Sequence, residues 1–475
     1  MKHATRRDFL KTMGRGALLL GASDWLRPIW AWGDSGGRPP NFVFILADDW
    51  GWGDLGCYGH DLLKTPNLDR LAAQGTLFTQ FYVNGPVCSP SRAAIMTGQF
   101  PSCHRVFAHF ASPEENQKRD MPGWLDPSVV TLPRLLKERG YVTGHFGKWH
   151  LGSGRADGTD APEPSAYGVD DYRIFVGNGP RWDVPDFNSR SSELIVDEAV
   201  RFVEANKGKP FFVNVWLKDV HAVLDPTEEQ MAAYPNLKGA LRVYYSAATD
   251  ADRQLGRLLG KLDELGLTEN TVVVFTSDNG PEDIRIGNAS HSGVGSPGPF
   301  RGRKRSLYEG GIRTPFMVRW PKVTPAGKVD GATVLSGVDM LPTLCALAGV
   351  QPPKDWKLDG EDMSGACKGS PEPRKKPLMW DFRYGVVGHV LNRSPMLAIR
   401  DGDWKLLMNP DRSRVELYDI PHDPSELKDL ASERPKEVQR LSDALVKWFE
   451  SLPKGKIWPE AGKADYPWPK PTEND

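Results

Sequence analysis

What most limits the fold of this chain is a series of short, unbroken apolar runs separated by helix-forming stretches. Asn41–Ala47 (Asn-Phe-Val-Phe-Ile-Leu-Ala) is apolar at every position after the first, with no alternation. A strand with one face in water would alternate. A continuous run of this length, rich in β-branched and aromatic residues, predicts a strand covered on both faces. Phe211–Leu217 and Thr271–Thr276 read the same way, and Tyr141–Phe146 is strand-like. Thr65–Gly75, Ser128–Gly140, Ser192–Ala205 and Leu241–Leu265 read as helices. The first has Thr65 as cap, Pro66 as first helical residue and Gly75 as stop. Helices alternating with buried strands predict an α/β fold: a central sheet with helices on both faces. With 475 residues, 39% of them hydrophobic, the chain can fill such a core without disulfide or metal staples.

The pattern changes after about residue 350. Pro352-Pro353 and Lys368–Pro377 read as exposed linkers. Met396–Arg400, Trp404–Leu407 and Val415–Asp419 read as short strands, the first two joined by a hairpin turn at Arg400–Asp403, and Pro435–Leu452 reads as an amphipathic helix. This predicts a large domain over residues 40–365 and a smaller α+β subdomain over 375–475. The N-terminus is of another kind. Thr5-Arg6-Arg7-Asp8-Phe9-Leu10-Lys11, the apolar stretch Ala17–Ala22 and the small residues of Ala31-Trp32-Gly33 resemble a bacterial twin-arginine signal over residues 1–33. That implies the twin-arginine export machinery as a partner and a periplasmic or extracellular destination. Asp24 and Arg27 interrupt this stretch, and a membrane span needs about 20 apolar residues. No membrane span is therefore expected in the mature protein. Removing the leader takes away six basic and two acidic residues and leaves a net charge of −5. No basic face for nucleic acid is expected. The five cysteines (57, 88, 103, 345 and 367) are odd in number and fit no zinc spacing.

Chemistry-bearing residues fall where strands end. Asp48-Asp49 closes the first run. Adjacent strand residues face opposite ways, so both carboxylates can serve one site only where the chain turns, and strand ends are where ligands bind in open α/β sheets. A solvated acidic turn fits Asp48-Asp49 equally well. Ser277-Asp278-Asn279-Gly280 follows the run Thr271–Thr276, although Asn-Gly is also a favoured hairpin turn. Together Asp48, Asp49, Asp278 and Asn279 form an all-oxygen donor set, which suits Ca2+ first and Mg2+ second. In Cys88-Ser89-Pro90-Ser91-Arg92, Ser89 is a good N-cap, Pro90 a good first helical residue and Gly98 a good stop. Cys88 would then sit at the positive end of a helix, an activated thiol facing an anion, with Arg92 as a fixed charge nearby.

Here the sequence resembles the type I sulfatases of the alkaline phosphatase superfamily. Their Cys-x-Pro-x-Arg signature and following Thr-Gly-x-x-Pro stand complete from Cys88 to Pro101. Asp48-Asp49 and Asp278-Asn279-Gly280 match the family's metal motifs. Gly147-Lys148-Trp149-His150-Leu151-Gly152 matches its Gly-Lys-Trp-His-Leu-Gly, and Lys304 lies four residues before Tyr308-Glu309-Gly310-Gly311. Lys218-Asp219-Val220-His221-Ala222 matches its His-x-Pro region more loosely. The resemblance implies an alkaline phosphatase-like sheet and a sulfuric ester hydrolase. It implies Cys88 converted to 3-oxoalanine (formylglycine) by a formylglycine-generating enzyme, with the aldehyde hydrate as nucleophile and Cys88 beside Asp48, Asp49, Asp278 and Asn279 at the metal. Arg92 and Lys148 would hold the nucleophile, His150 would take its proton, and Lys304 and His221 would contact sulfate and the leaving oxygen. The segment Gly298–Lys304 and the block after it look like relatives acting on sulfated sugars, including N-acetylgalactosamine-6-sulfatases. The expected substrate is thus a sulfated carbohydrate or an aryl sulfate, with His291, Arg301 and Arg303 as candidate contacts. The competing readings are a phosphodiester or phosphonate monoester hydrolase of the same superfamily, and a non-catalytic sulfated-glycan binder.

Overall fold

The computed structural model describes residues 38–152, 161–177, 182, 184–284, 289, 291–371 and 373–466. The expected export leader lies outside the described residues. Residues from Pro40 onward form one compact unit, so the large domain and the C-terminal sheet pack as a single body.

The centre is a nine-stranded sheet. Its strands are β1 (Asn41–Ala47), β2 (Thr76–Tyr82), β3 (Val142–Lys148), β4 (Asp171–Phe175), β5 (Phe211–Trp216), β6 (Thr271–Ser277), β7 (Arg313–Arg319), β8 (Lys328–Asp330) and β9 (Leu335–Ser336). The order is β4-β3-β5-β1-β6-β7-β2-β8, with β9 also on β2. β4 to β6 are parallel neighbours, whereas β7 runs antiparallel to both β6 and β2. β2 and β7 are strands the sequence pattern did not pick out. Thr79 and Gln80 break the apolar run of the first, which carries a register shift between Phe78 and Phe81. The second has arginine at both ends and Pro315 inside it.

β1 shows why its run is continuous. Phe42, Phe44 and Leu46 join one core and Val43, Ile45 and Ala47 the other, all at most 1% exposed. One face is covered by helices α2 (Cys88–Thr97), α3 (Leu132–Lys137) and α6 (Met340–Leu347). The other is covered by α1 (Pro66–Ala73), α4 (Phe187–Asn206) and α5 (Gly239–Glu264). Three expected helix ends are corrected. Thr65 precedes α1 but does not cap it; its hydroxyl donates to Asp69 and accepts from the Gly56 N–H. Gly75 is no left-handed stop, since Gln74 closes α1. A Cβ on Gly75 would lie 2.1 Å from the Val318 carbonyl oxygen, so close approach to β7 is what requires glycine there. α3 begins at Leu132, after Thr131, and not at Ser128.

The C-terminal part is an antiparallel sheet of β10 (Leu378–Asp381), β11 (Leu397–Asp401), β12 (Trp404–Met408) and β13 (Glu416–Asp419), with helix α7 (Pro435–Ser451). Leu397, Ile399, Leu406 and Leu417 pack on Leu441 and Leu445 of α7. The opposite face, through Trp380, Ala398, Leu407 and Tyr418, joins the core of the large sheet. Among the described residues no helix is long and apolar enough to cross a membrane.

Candidate active site

The site lies at the C-terminal ends of β1, β3, β5 and β6, the end at which open α/β sheets bind ligands. β1 and β6 are adjacent and in register, Ala47 against Ser277, so Asp48-Asp49 and Asp278-Asn279 leave the sheet side by side. Asp49 adopts φ 64°. This left-handed turn ends the alternation of the strand and allows both carboxylates to serve one site. Side-chain atoms of Asp48, Asp49, Cys88 and Asp278 all lie within 4.8 Å of one another. Asn279 donates Nδ2 to Asp49 (2.7 Å), while its Oδ1 is buried without a partner among the described residues. Three buried carboxylates and an orphaned amide oxygen are the hard donors that Ca2+ or Mg2+ takes. The donor set fits the expected metal.

Helix α2 brings in Cys88. Val87, in extended conformation, occupies the N-cap position, so Cys88 is the first helical residue and Ser89 the second. The expected cap at Ser89 is corrected: its hydroxyl accepts instead from the Phe110 N–H (3.0 Å). Gly98 ends the helix at φ 69°, as expected. Cys88 Sγ therefore lies at the helix N-terminus, where unpaired N–H groups favour an anion. Burial still pushes the thiol up to about 12, more than Lys148 and Lys304 lower it.

The cations interlock with these acids. Lys148, the last residue of β3, donates to Asp48 Oδ2 (2.5 Å) and lies 3.3 Å from Cys88 Sγ. Arg92 is fully buried, donates Nε and Nη2 to Asp278 (3.1 and 2.7 Å) and Nη1 to the Lys148 carbonyl (2.9 Å), and stacks on Trp216. Lys304 grips both oxygens of Asp49 (2.5 and 2.7 Å). Burial opposes ionisation of Asp48, but Lys148, His221, Arg92 and Lys304 outweigh it and hold the carboxyl well below the usual range. Asp278 goes the other way, raised to about 6 by burial and then by Asp48.

The histidines differ. His150, at φ 54°, turns Nε2 to the Phe110 carbonyl (2.9 Å). That contact requires the proton on Nε2 and leaves Nδ1, buried and unpartnered among the described residues, as an acceptor. Burial and then Lys148 keep the ring neutral. Ser89 and His150 thus share Phe110, which couples the cysteine motif to the histidine. His221 places Nε2 4.0 Å from Asp49, and its segment is held by Lys218, whose Nζ donates to the carbonyls of His221 (3.3 Å) and Val223 (2.6 Å).

Cys88, Lys148, His150, His221 and Lys304 line one cavity of about 560 Å³. His291, Arg301 and Arg303 are not among its lining residues. Arg301 stacks on the Tyr308 ring and donates to the Leu391 carbonyl. Arg303 spends its guanidinium on the carbonyls of Glu282, Gly293 and Gly295. His291 is half-buried ahead of the turn Ser292–Val294. Of the arginines flanking Lys304, Arg305 reaches the cavity, paired through both terminal nitrogens with Glu282. Lys218 and His109, which also line it, escaped the sequence reading. Lys218 sat inside a quoted segment, whereas nothing local marks the Ala-His-Phe of His109.

Residues 40–350 match the family described as Sulfatase, and residues 300–453 match that described as N-sulphoglucosamine sulphohydrolase, C-terminal. The chain is 32% identical to mouse steryl-sulfatase over 438 residues, covering 73% of this chain and 68% of that protein. It is 29% identical to the N-acetylgalactosamine-6-O-sulfatase of Bacteroides thetaiotaomicron, covering 86% of this chain and 93% of that one. Among solved structures it resembles Ps i-CgsB in complex with k-i-k-neocarrahexaose, with a TM-score of 0.72, 30% identity, and coverage of 86% of this chain and 93% of that one.

Proposed function

The chain belongs to the sulfatase family, and from that premise we propose that it hydrolyses sulfate esters of saccharides, using a formylglycine made from Cys88 and a bound calcium ion. Sulfuric ester hydrolysis itself follows from the family. The observation that carries the finer reading is the meeting of three buried carboxylates with a thiol at a helix N-terminus and two lysines, at a cavity that Asp48, Cys88, Lys148 and Lys304 line.

Asp48, Asp49, Asp278 and Asn279 would hold the cation, with magnesium as the alternative. When bound, it would supply a Lewis acid and template for an anionic oxygen. The modified Cys88 would supply an oxygen nucleophile that can release sulfate and regenerate itself. Lys148 and Arg92, beside the Cys88 side chain, would hold the nucleophile and offset charge that builds on it. His150 would accept its proton at Nδ1, the nitrogen left free by Phe110. Lys304 and His221, on the Asp49 side, would bind the sulfate oxygens and stabilise the departing sugar oxygen.

The saccharide assignment is supported by two relatives. One is named as an N-acetylgalactosamine-6-O-sulfatase, and the other is a structure solved in complex with k-i-k-neocarrahexaose. The test is desulfation of defined sulfated mono- and oligosaccharides beside an aryl sulfate and an aryl phosphodiester, with peptide mass measurement at Cys88. Saccharide turnover well above that of the phosphodiester, with an aldehyde mass at Cys88, is expected. Aryl sulfate turnover with no saccharide cleaved would overturn the substrate. A dominant phosphodiesterase activity would replace it with the competing reading.

A further inference from the structure

A second cavity, of about 370 Å³, adjoins the catalytic one and shares Val87, His109 and Arg305 with it as common wall. Its outer wall comes from the C-terminal part of the chain and is aromatic: Tyr384, Trp458 and Tyr466. Tyr384 and Trp458 pack at 5.6 Å between ring centroids, and Tyr466 is braced by Arg393 stacked 3.9 Å from its ring and by its hydroxyl bond to the Val386 carbonyl. The surface is therefore rigid and ready-made, and its size is that of a small-ligand site.

One cation there is only partly engaged. Arg119 lines the cavity with one terminal nitrogen on the His109 carbonyl (2.8 Å) and makes no ion pair among the described residues. Arg305, by contrast, is already neutralised by Glu282. Flat aromatic faces and a half-used guanidinium suit a pyranose ring with an anionic substituent, because guanidinium pairs best with carboxylate or sulfate oxygens. Glu460, also on the wall, offers an acceptor for sugar hydroxyls.

We propose that this cavity is a second saccharide subsite. It would hold the sugar next to the one that loses sulfate, with that neighbour's carboxylate or sulfate on Arg119. The inference rests on the saccharide reading above and adds that the enzyme acts on acidic oligosaccharides and not only on single sugars. The shared wall of Val87, His109 and Arg305 is the route by which one chain of sugars would occupy both cavities.

The test compares kcat/KM on a sulfated disaccharide with an acidic neighbouring residue to kcat/KM on an aryl sulfate, which is too short to reach the second cavity. Arg119→Ala and Trp458→Ala should each lower that ratio about tenfold or more, mainly through KM, as expected for loss of a charged hydrogen bond or a stacking face. Arg119→Lys should restore part of it. The aryl sulfate rate in each variant reports whether the fold is intact. If the wild type cleaves the disaccharide and both ratios stay within about twofold, the subsite is wrong and the saccharide reading stands. If the wild type cleaves aryl sulfate and no saccharide, both fall.

Discussion

Asp49 holds φ 64°, a left-handed conformation that costs a residue with a Cβ about 1–2 kcal/mol. The turn aims Asp49 at the same space as Asp48 and Asp278, and Lys304 closes on both of its oxygens. Lys148, Arg92 and Lys304 pair with Asp48, Asp278 and Asp49, and the buried, unpartnered Oδ1 of Asn279 beside them is the donor left for a metal ion. Calcium binding should therefore appear in stability as well as in rate. At calcium about 100-fold above its Kd, linkage adds about 2.7 kcal/mol. Scanning the chelated protein against the calcium-loaded one should show a clear rise in Tm, and Asp49→Asn should abolish that rise together with turnover. A wild-type Tm indifferent to calcium would remove the metal from the site. At this scale the motifs around Cys88, Lys148 and Asp278 were legible because each is short and local. The roles of Ser89 and Arg303 were not, because their partners, Phe110 and the carbonyls of 282, 293 and 295, are set by loop paths that no local pattern encodes.

The loop carrying Lys304 is held by close backbone contact as well as by its side chains. Gly311 packs so closely on it that a Cβ would lie 2.1 Å from the Ser306 carbonyl oxygen and 2.5 Å from that of Arg303. Lys304 N–H in turn donates to the Pro281 carbonyl (2.9 Å), tying this loop to the one that bears Asp278 and Asn279. The glycines after Tyr308-Glu309 thus allow the close packing of the loop that bears Lys304. Gly311→Ala should displace the loop, costing about 1–3 kcal/mol in stability from overpacking. A shift near 1 Å should lower kcat/KM by about 10²-fold. Denaturant melts and steady-state rates on an aryl sulfate would measure both, and an unchanged rate would show that Lys304 does not depend on this contact. The strands of the parallel half were readable from their continuous apolar runs, whereas β2 and β7 were not. Their polar side chains interrupt the apolar run and find tertiary partners: Gln80 donates to the Gly331 carbonyl, and Arg313 Nε to the Thr79 carbonyl.

Across the whole molecule, a buried charge cluster joins the C-terminal sheet to the catalytic part. Lys405 of β12 lies 2.9 Å from carboxylates of both Glu309 and Glu426, all three buried, and Glu309 also meets Arg313 and Tyr82. Removing the shared cation in Lys405→Met should destabilise by about 3–5 kcal/mol. Burial raises Glu426 to about 7, with Glu309 adding to the rise and Lys405 opposing it, whereas Lys405, Arg313 and Arg400 overcome burial to hold Glu309 near 2. The folded protein therefore keeps a proton on Glu426 that the unfolded chain releases near the ordinary carboxyl value of about 4.5. Stability from this group falls as pH rises between about 4.5 and 7. Tm measured across that window should flatten in Glu426→Gln, and an identical slope in both proteins would contradict the assignment. The sequence alone determined the α/β class, the sulfatase resemblance and the identity of the acids, lysines and cysteine, because strand burial leaves a local pattern and each motif is a few residues long. Only the tertiary structure decided which arginine faces the cavity, that the C-terminal segment supplies a wall beside it, and that Glu309, Lys405 and Glu426 meet. Those facts depend on contacts between residues about a hundred positions apart, and nothing in the neighbouring sequence of either partner records them.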